Sequence, residues 1–361
     1  MSTGTAGRDL RTIGRTARLV LGVVVLTLVW VLPRPSVAAA PAAIDPAALP
    51  RGADPTVAYL VRDTIHDGDL RVPATQRGRH DVLWQVAGGY LVRDYNVGHP
   101  HRILVTFIDP AGERRVVARS RDWIDVAVSA SGTRVAIRRS AGPDLLRSVV
   151  TVSDAATGRV VASRSLRQVN LAAVTHSRVL LGKRARWHHP ATLWWNYRQD
   201  RMWRWYDQAA LGADVRHDKV VLDRTDVGEF CIRVAVLSRP AHTLWQTCDR
   251  FPHQWSPDGT RALATHTYFD AAGTDRWWVV DGMTGARQGT IAGRLDWHAV
   301  WEDDQHYLTL AQGDEGGAAI IRCDLGGTCE RASRVWDVPV PSEPSLYYAP
   351  PPVVLADRQA S

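Results

Sequence analysis

The sequence lacks any apolar stretch long enough to cross a bilayer as a helix. The longest, from Leu19 to Leu32, spans fourteen residues, whereas a transmembrane helix needs roughly twenty. Arginines precede this stretch and the triplet Ser36-Val37-Ala38 follows it, so we expect a secretory signal peptide over residues 1–38, cleaved near Ala38. An N-terminal segment that stays uncleaved as a membrane anchor is the alternative. No cysteine suited to lipid attachment follows the stretch.

Lysine is almost absent, because Lys183 and Lys219 are the only two among 44 basic residues. This bias is typical of a high-GC bacterial genome, such as an actinobacterial one. Residues 1–38 hold five of the basic residues and one of the 37 acidic residues, so their removal lowers the net charge from +7 to +3. A balance this weak gives no support for nucleic-acid binding. We therefore expect no nucleic-acid partner.

Short apolar strands recur at a steady period of 41 to 45 residues. They begin at Tyr90, Arg134, Arg178, Lys219, Arg261 and His306. The unit from Trp123 to Leu166 reads as four strands joined by turns rich in Ser, Asp and Gly. Four strands per period of about forty residues predict an all-β chain, a β-propeller of four-stranded blades. The strands are apolar on both faces, as blades stacked around an axis require.

Seven blades fit the spacing best, and six blades with loose ends are the alternative. We expect a linker over residues 39–55, one propeller domain over residues 56–357 and a short tail over residues 358–361. The seventh blade would combine two strands from each end of the chain. Val57 to Arg62 and Asp69 to Val72 are the N-terminal candidates, and Val353 to Leu355 is one of the C-terminal ones. Tryptophans such as Trp84, Trp255 and Trp301 are expected to pack between blades.

The four cysteines form two pairs, each within one predicted hairpin. Cys231 and Cys248 lie on a third and a fourth strand of one unit, and Cys323 and Cys329 flank the equivalent turn of another unit. Opposed residues of an antiparallel hairpin lie within reach of a disulfide. Two local disulfides are therefore predicted, as suits a protein exported to an oxidising compartment.

One turn resembles the repeat of TolB-type propellers. The run Trp255-Ser256-Pro257-Asp258-Gly259-Thr260-Arg261 is similar to the WD-like repeat of that superfamily, and residues 128–134 carry a degenerate copy. The resemblance covers most of residues 56–357 as architecture. It implies either a periplasmic platform that binds proteins or the gating domain of a serine peptidase. The sequence contains no Gly-x-Ser-x-Gly elbow and no hydrolase segment after the repeats, so the peptidase half is not expected.

The candidate site lies on the face that we call the upper face. There the loops between second and third strands meet the connections from each fourth strand to the next blade. Candidate binding residues in these loops are Tyr95, His99, His101, Arg186, Trp187, His188, His189, His266 and Tyr268. Starts of inner strands add His80, Asp81, His253, Asp296 and His298.

Three interpretations of this face remain open. In the first, these are ordinary solvated loop residues. In the second, they form a recognition surface for a protein or glycan. In the third, they form a metal or acid–base centre with His99 and His101 as the leading ligand pair. We expect an exported, monomeric, non-catalytic scaffold without a cofactor or metal, which binds a protein or cell-envelope component. A membrane would take part only if the N-terminal segment stays uncleaved. The alternative is an extracellular polysaccharide-active hydrolase or lyase with a His/Asp site at the channel mouth.

Overall fold

The computed structural model describes residues 43–74, 79–96, 102–141, 147–183, 189–224, 231–267, 273–338 and 353–357. Within these ranges the chain forms 27 β-strands. They contain no helix long and apolar enough to cross a membrane. The signal segment expected over residues 1–38 lies outside the described residues.

The strands group into antiparallel units of four. The first three are β1 (Tyr59–Val61), β2 (Thr64–Asp67) and β3 (Leu70–Pro73). Blade 1 consists of β4 (Arg79–Val86), β5 (Gly89–Asn96), β6 (Arg102–Ile108) and β7 (Arg114–Ser120). Blade 2 consists of β8 (Ile124–Val128), β9 (Arg134–Ala141), β10 (Arg147–Asp154) and β11 (Val160–Arg167). Blade 3 consists of β12 (Asn170–Val174), β13 (Arg178–Lys183), β14 (Ala191–Asn196) and β15 (Arg201–Tyr206).

The remaining strands continue this order. Blade 4 consists of β16 (Ala210–Asp214), β17 (Lys219–Asp223), β18 (Ile232–Val236) and β19 (Arg239–Thr247). Blade 5 consists of β20 (Arg250–Trp255), β21 (Arg261–His266), β22 (Thr274–Asp281) and the first half of β23 (Arg287–Trp301). Blade 6 takes the second half of β23 with β24 (His306–Gln312), β25 (Ala318–Asp324) and β26 (Cys329–Arg331). The last strand is β27 (Val353–Asp357). The predicted second strands begin at the expected residues, except that β5 begins one residue earlier.

The turns between third and fourth strands are built around an aspartate, as predicted. In blade 1 the Oδ1 atom of Asp109 accepts hydrogen bonds from the backbone amides of Ala111 at 2.9 Å and Glu113 at 2.8 Å. Asp154, Asp281 and Asp324 accept equivalent amide hydrogen bonds in blades 2, 5 and 6. These carboxylates are therefore occupied in stabilising their turns.

Ring closure differs from the expectation of two strands from each end. Among the described residues the N-terminal part contributes three strands, β1 to β3, and the C-terminal part contributes one, β27, which completes blade 7. Strand β27 pairs with β1 through Leu60 and Val354. The sequence interpretation missed the turn between β1 and β2 because it contains no glycine: Arg62 itself takes the left-handed conformation, with φ of 51°.

Six buried apolar clusters connect the blades into a closed ring. One cluster joins each neighbouring pair from blades 1–2 to blades 5–6. The sixth joins blades 6, 7 and 1, with Leu308, Leu355 and Leu83 among its members. Trp84, Trp255 and Trp301 are each at most 7% exposed and belong to three of these clusters. Their predicted role in blade packing is confirmed.

Residues 43–57, which we call the N-terminal strap, lie against blades 5 and 6. Ile44 and Leu49 pack on the cluster shared by these blades. The amide of Ile44 donates to the carbonyl of Ala292, and the amide of Arg331 donates to the carbonyl of Pro50. Part of the segment expected to be a linker is therefore packed on the propeller.

Both predicted disulfides are present. Cys231–Cys248 joins the residues that flank β18 and β19, with a Cα–Cα distance of 4.0 Å. Cys323–Cys329 joins an opposed pair of β25 and β26 at 4.1 Å. These bonds suggest that the protein works in an oxidising compartment outside the cytoplasm.

Candidate functional site at the upper mouth of the channel

The structure describes three of the nine predicted loop residues. Tyr95 lies at the end of β5 and is 38% exposed. His189 is exposed just before β14, and His266 ends β21 with Nε2 3.6 Å from Oδ1 of Asp275. Tyr95 and His266 lie at the ends of second strands and His189 follows one, so all three lie on the upper face. The other six, His99, His101, Arg186, Trp187, His188 and Tyr268, lie outside the described residues.

Bulges near the upper ends of inner strands position polar side chains at the channel mouth. The register of β4 shifts between His80 and Val82, and that of β20 shifts between Pro252 and Gln254. The shift in β23 is wider, between Leu295 and Ala299. A bulge inserts extra residues into one strand and redirects their side chains. The inner-strand residues predicted from the sequence, His80, Asp81, His253, Asp296 and His298, all lie in or beside these bulges.

His80 links blade 1 to blade 7. Its Nδ1 atom hydrogen-bonds to Oδ1 of Asp94 on β5, and both side chains are buried. Its Nε2 atom lies 3.7 Å from Oδ1 of Asp63, in the turn between β1 and β2. Burial raises the pKa of Asp94, although the hydrogen bond from His80 acts in the opposite direction. The pair is a histidine oriented by a buried carboxyl.

Arg93 supports an exposed tryptophan beside this pair. Its Nε and Nη2 atoms both lie 2.9 Å from the carboxylate of Asp81, and its Nη1 donates to the carbonyl of Ile124 at 3.1 Å. The guanidinium is thus held by two neighbouring blades. The ring of Trp123 lies over it, 4.2 Å from the guanidinium carbon to the ring centroid, and is 50% exposed. A cation–π contact of this kind fixes the ring while leaving its outer face open.

The wide bulge of β23 reaches across the channel. Trp297 belongs to blade 6 but packs against the cluster that blades 1 and 2 share. Oδ1 of the preceding Asp296 accepts a hydrogen bond from the amide of Trp297 at 2.8 Å. Burial raises the pKa of Asp296 to about 7. A carboxyl with this pKa can hold or release a proton near neutral pH.

The half-buried His253 and the buried His298 complete the mouth. Nε2 of His253 is hydrogen-bonded to Oγ1 of Thr265 at 2.7 Å, and its ring meets Trp277 edge-on at 5.4 Å. Burial, with a smaller effect of His298, lowers the pKa of His253 to about 3. Burial and the charge of Arg93 lower the pKa of His298 to about 4. Both rings are therefore neutral at neutral pH.

The predicted metal interpretation is not tested at its leading pair, since His99 and His101 lie outside the described residues. Within the described ranges no three side chains of His, Cys, Asp or Glu are grouped as metal ligands would be. Sequence reasoning missed Trp123, Arg93 and Trp297 as part of the mouth. Trp123 lies between β7 and β8. Its position in the connection from one blade to the next is the sequence signal that could have placed it on the upper face.

No protein-family model and no curated protein sequence matches the chain. Among solved structures, the mitotic checkpoint complex is similar with a TM-score of 0.50 at 13% identity, over 84% of this chain and 87% of that one. The shared fold is a β-propeller of four-stranded blades. TolB from Acinetobacter baumannii aligns at 12% identity and a TM-score of 0.45, over 72% of this chain and 67% of that one. The propeller domain of the trilobed protease from Pyrococcus furiosus aligns at 11% identity and a TM-score of 0.45, over 71% of this chain and 85% of that one.

These similarities concern the fold alone, because identities near 12% carry no shared site. The functional argument therefore rests on the side chains of the upper mouth. They combine a fixed, half-exposed Trp123, an exposed Tyr95 and a supporting Arg93. This arrangement is suited to contact another surface. The carboxyl of Asp296 nearby, with its pKa raised to about 7 by burial, can also transfer a proton near neutral pH.

Proposed function

We propose that this chain is an exported, non-catalytic propeller that binds a protein or another cell-envelope component through its upper face. The half-exposed ring of Trp123, stacked on the immobilised Arg93, is the observation that supports this most. Trp, Tyr and Arg are the residue types that dominate binding energy at protein interfaces. The two disulfides support a location outside the cytoplasm.

Rigidity adds to the argument for binding. Arg93 is 5% exposed, and its contacts with Asp81 and Ile124 keep it in place whether or not a partner is present. Trp123 therefore loses little conformational freedom when it is covered. Preorganised side chains of this kind lower the entropic cost of association.

The test compares Trp123→Ala and Tyr95→Ala with wild-type protein immobilised and exposed to solubilised envelope from the source cells. Captured proteins and glycans are quantified by mass spectrometry. We expect Trp123→Ala to lower recovery of the partner about tenfold, since a hot-spot residue costs 1–2 kcal/mol or more. Both side chains are well exposed, so the melting temperature should not change.

Met283→Ala is the matched control, because Met283 is 54% exposed but lies in a turn on the opposite, lower face. It should leave recovery unchanged. If Trp123→Ala and Met283→Ala recover the same amount of every bound component as wild type, the upper-face proposal is wrong.

One observation favours a second candidate, an extracellular polysaccharide-active hydrolase or lyase. Asp296 has a pKa of about 7, and a carboxyl that is protonated near neutrality can act as a general acid. The test is release of reducing ends or unsaturated products from cell-wall and plant polysaccharides. Activity that is present in wild type and absent in Asp296→Asn would support this candidate, and inactivity of the wild type would dismiss it.

A further inference from the structure

The channel contains a cavity of about 440 Å³, which extends from Phe251 and His253, near the start of β20, to the turns at the lower ends of the inner strands. All seven inner strands contribute to its wall, for example Trp84 from β4, Leu171 from β12 and Asp357 from β27. Its exposed rim consists of Ala130 and Pro257 in turns between first and second strands, together with Arg216. These turns define the lower face, opposite the candidate site described above. The cavity therefore opens on the lower face.

Small residues of β12 and β16 leave open space along one side of the cavity wall. Gly212 on β16 faces it with no heavy atom within 4 Å of where a Cβ would lie, and small residues such as Ala172 and Ala213 stand beside it. Apolar side chains of Leu171 and Phe251 line its inner part. A volume of this size is in the range of small-molecule sites, which are roughly 300–1,000 Å³.

A buried carboxamide faces this space. Gln254 lines the cavity and is 5% exposed, and no described residue hydrogen-bonds to its side-chain amide. The carboxamide carries two donors and an acceptor. The amide of Gln254 is open to the cavity and can hydrogen-bond a ligand that both donates and accepts hydrogen bonds.

The acidic groups of the lining are largely committed to protein partners. Glu302 is bound by Arg322, whose Nη2 lies 3.0 Å from Oε1. His217 donates through Nδ1 to Oδ2 of Asp214 at 2.7 Å. A buried ionic ligand needs an opposite charge that is available to it. Apart from Arg216 at the exposed rim, these charges are paired, which favours an uncharged ligand whose hydroxyl groups share the remaining donors and acceptors.

We propose that the lower cavity binds an uncharged sugar of one or two rings. Hydroxyl groups of the ring hydrogen-bond to Gln254 and to polar groups of the rim, and its carbon framework contacts the apolar wall near Leu171 and Phe251. The cavity opens on the face opposite Trp123 and Tyr95, although His253 lines it and also lies at the upper mouth. Neither Trp123 nor Tyr95 lines the cavity, so Trp123→Ala tests the partner surface and Gly212→Trp tests the cavity separately.

The test is a titration with glucose, N-acetylglucosamine, cellobiose and N,N′-diacetylchitobiose, followed by tryptophan fluorescence and isothermal calorimetry. Trp84, Trp255 and Trp301 line the cavity and report on its occupation. We expect saturable binding of at least one of these sugars. Glucuronate, of similar size but charged, should bind about tenfold more weakly, because the carboxylates of Asp214, Glu302 and Asp357 line the cavity and outnumber the single arginine, Arg216.

Gly212→Trp tests the location, because its side chain fills the cavity without meeting the wall at Cβ. Binding should fall at least about tenfold, while the melting temperature is kept. Met283→Trp adds the same side chain to an exposed turn outside the cavity and should bind as wild type. Gln254→Leu should also weaken binding, and it tests the amide separately from the volume.

Three results would overturn the proposal. The first is no saturable signal with any of the four neutral sugars. The second is binding that survives in Gly212→Trp, which would place the sugar elsewhere. The third is glucuronate binding as tightly as the neutral sugars, which would contradict the charge argument.

Discussion

Replacing Arg322 by methionine should remove the main polar attachment of the N-terminal strap. Arg322 lies on β25, and its side chain is 12% exposed. It binds the carboxylate of Glu302, with Nη2 3.0 Å from Oε1, and that of Glu330 at 2.6 Å. It also donates to the carbonyls of Ala53 at 3.2 Å and Asp54 at 3.1 Å. One side chain thus joins blade 6 to the strap that leads into blade 7.

The expected cost follows from what the substitution leaves behind. Methionine is similar in length to the aliphatic part of arginine, so packing is largely kept. The side chain of Glu302 is 5% exposed, and among the described residues it then keeps the amide of Thr56, at 2.7 Å, as a donor. Removing one partner of a buried ion pair costs about 3–5 kcal/mol. We expect the free energy of unfolding to fall by about 3 kcal/mol, the lower end, because the Thr56 hydrogen bond remains.

The assay is urea unfolding at pH 7, followed by tryptophan fluorescence. Arg164→Met is the matched control, because Arg164 and Asp200 form an ion pair at 2.7 Å whose side chains are 32% and 73% exposed. Breaking that pair should cost below about 1 kcal/mol. Adding Glu302→Gln to Arg322→Met should recover part of the loss, since the buried charge is then removed as well.

The pH dependence gives a second measurement. Burial acts to raise the pKa of Glu302, but hydrogen bonds from Arg322 and Thr56 outweigh it and hold this pKa below the usual value. The ionised form therefore stabilises the fold above the usual glutamate pKa, and this stability is lost as the pH falls through the lowered value. Arg322→Met should show a smaller loss in acid than wild type. A cost at pH 7 no larger than that of Arg164→Met would refute the argument.

Two further predictions concern the disulfides and the upper mouth. The double variant Cys231→Ser/Cys248→Ser should lower the free energy of unfolding by about 3 kcal/mol, and Cys323→Ser/Cys329→Ser should lower it by about 2 kcal/mol. The first cost is larger because the first disulfide closes the longer loop. Equal costs in denaturant unfolding would contradict the chain-entropy model. The pKa of Asp296 is raised to about 7, so its retained proton favours the native state at low pH and this contribution disappears as the pH rises from about 4 to 7. Asp296→Asn should remove that part of the pH dependence in thermal unfolding, and an unchanged profile would show that Asp296 is ordinarily ionised.

Features confined to one hairpin could be predicted from the sequence alone. Second strands begin at Arg134 and Arg178 as expected, and each disulfide joins residues within a single hairpin. Turn aspartates such as Asp109 also act as predicted, because the amides they bind lie within four residues. Short-range geometry leaves these elements few alternatives.

Ring closure could not be predicted in detail. The pairing of β1 with β27 joins Leu60 to Val354, residues that are far apart in the chain. The extra hairpin depends on Arg62 in a left-handed conformation. The sequence gives no sign of this turn, because it has no glycine or asparagine at that position. Local propensity carries no information about which distant strand completes a blade.

The sequence by itself determined the repeat, the number of strands in each unit and the cysteine pairing, since these depend on neighbours along the chain. Only the tertiary structure decided what meets in the channel. Trp297 contacts a cluster two blades away, and Gln254 faces a cavity that seven separate strands enclose. Such contacts exist only after the ring has closed, because the curvature of the ring brings these residues together.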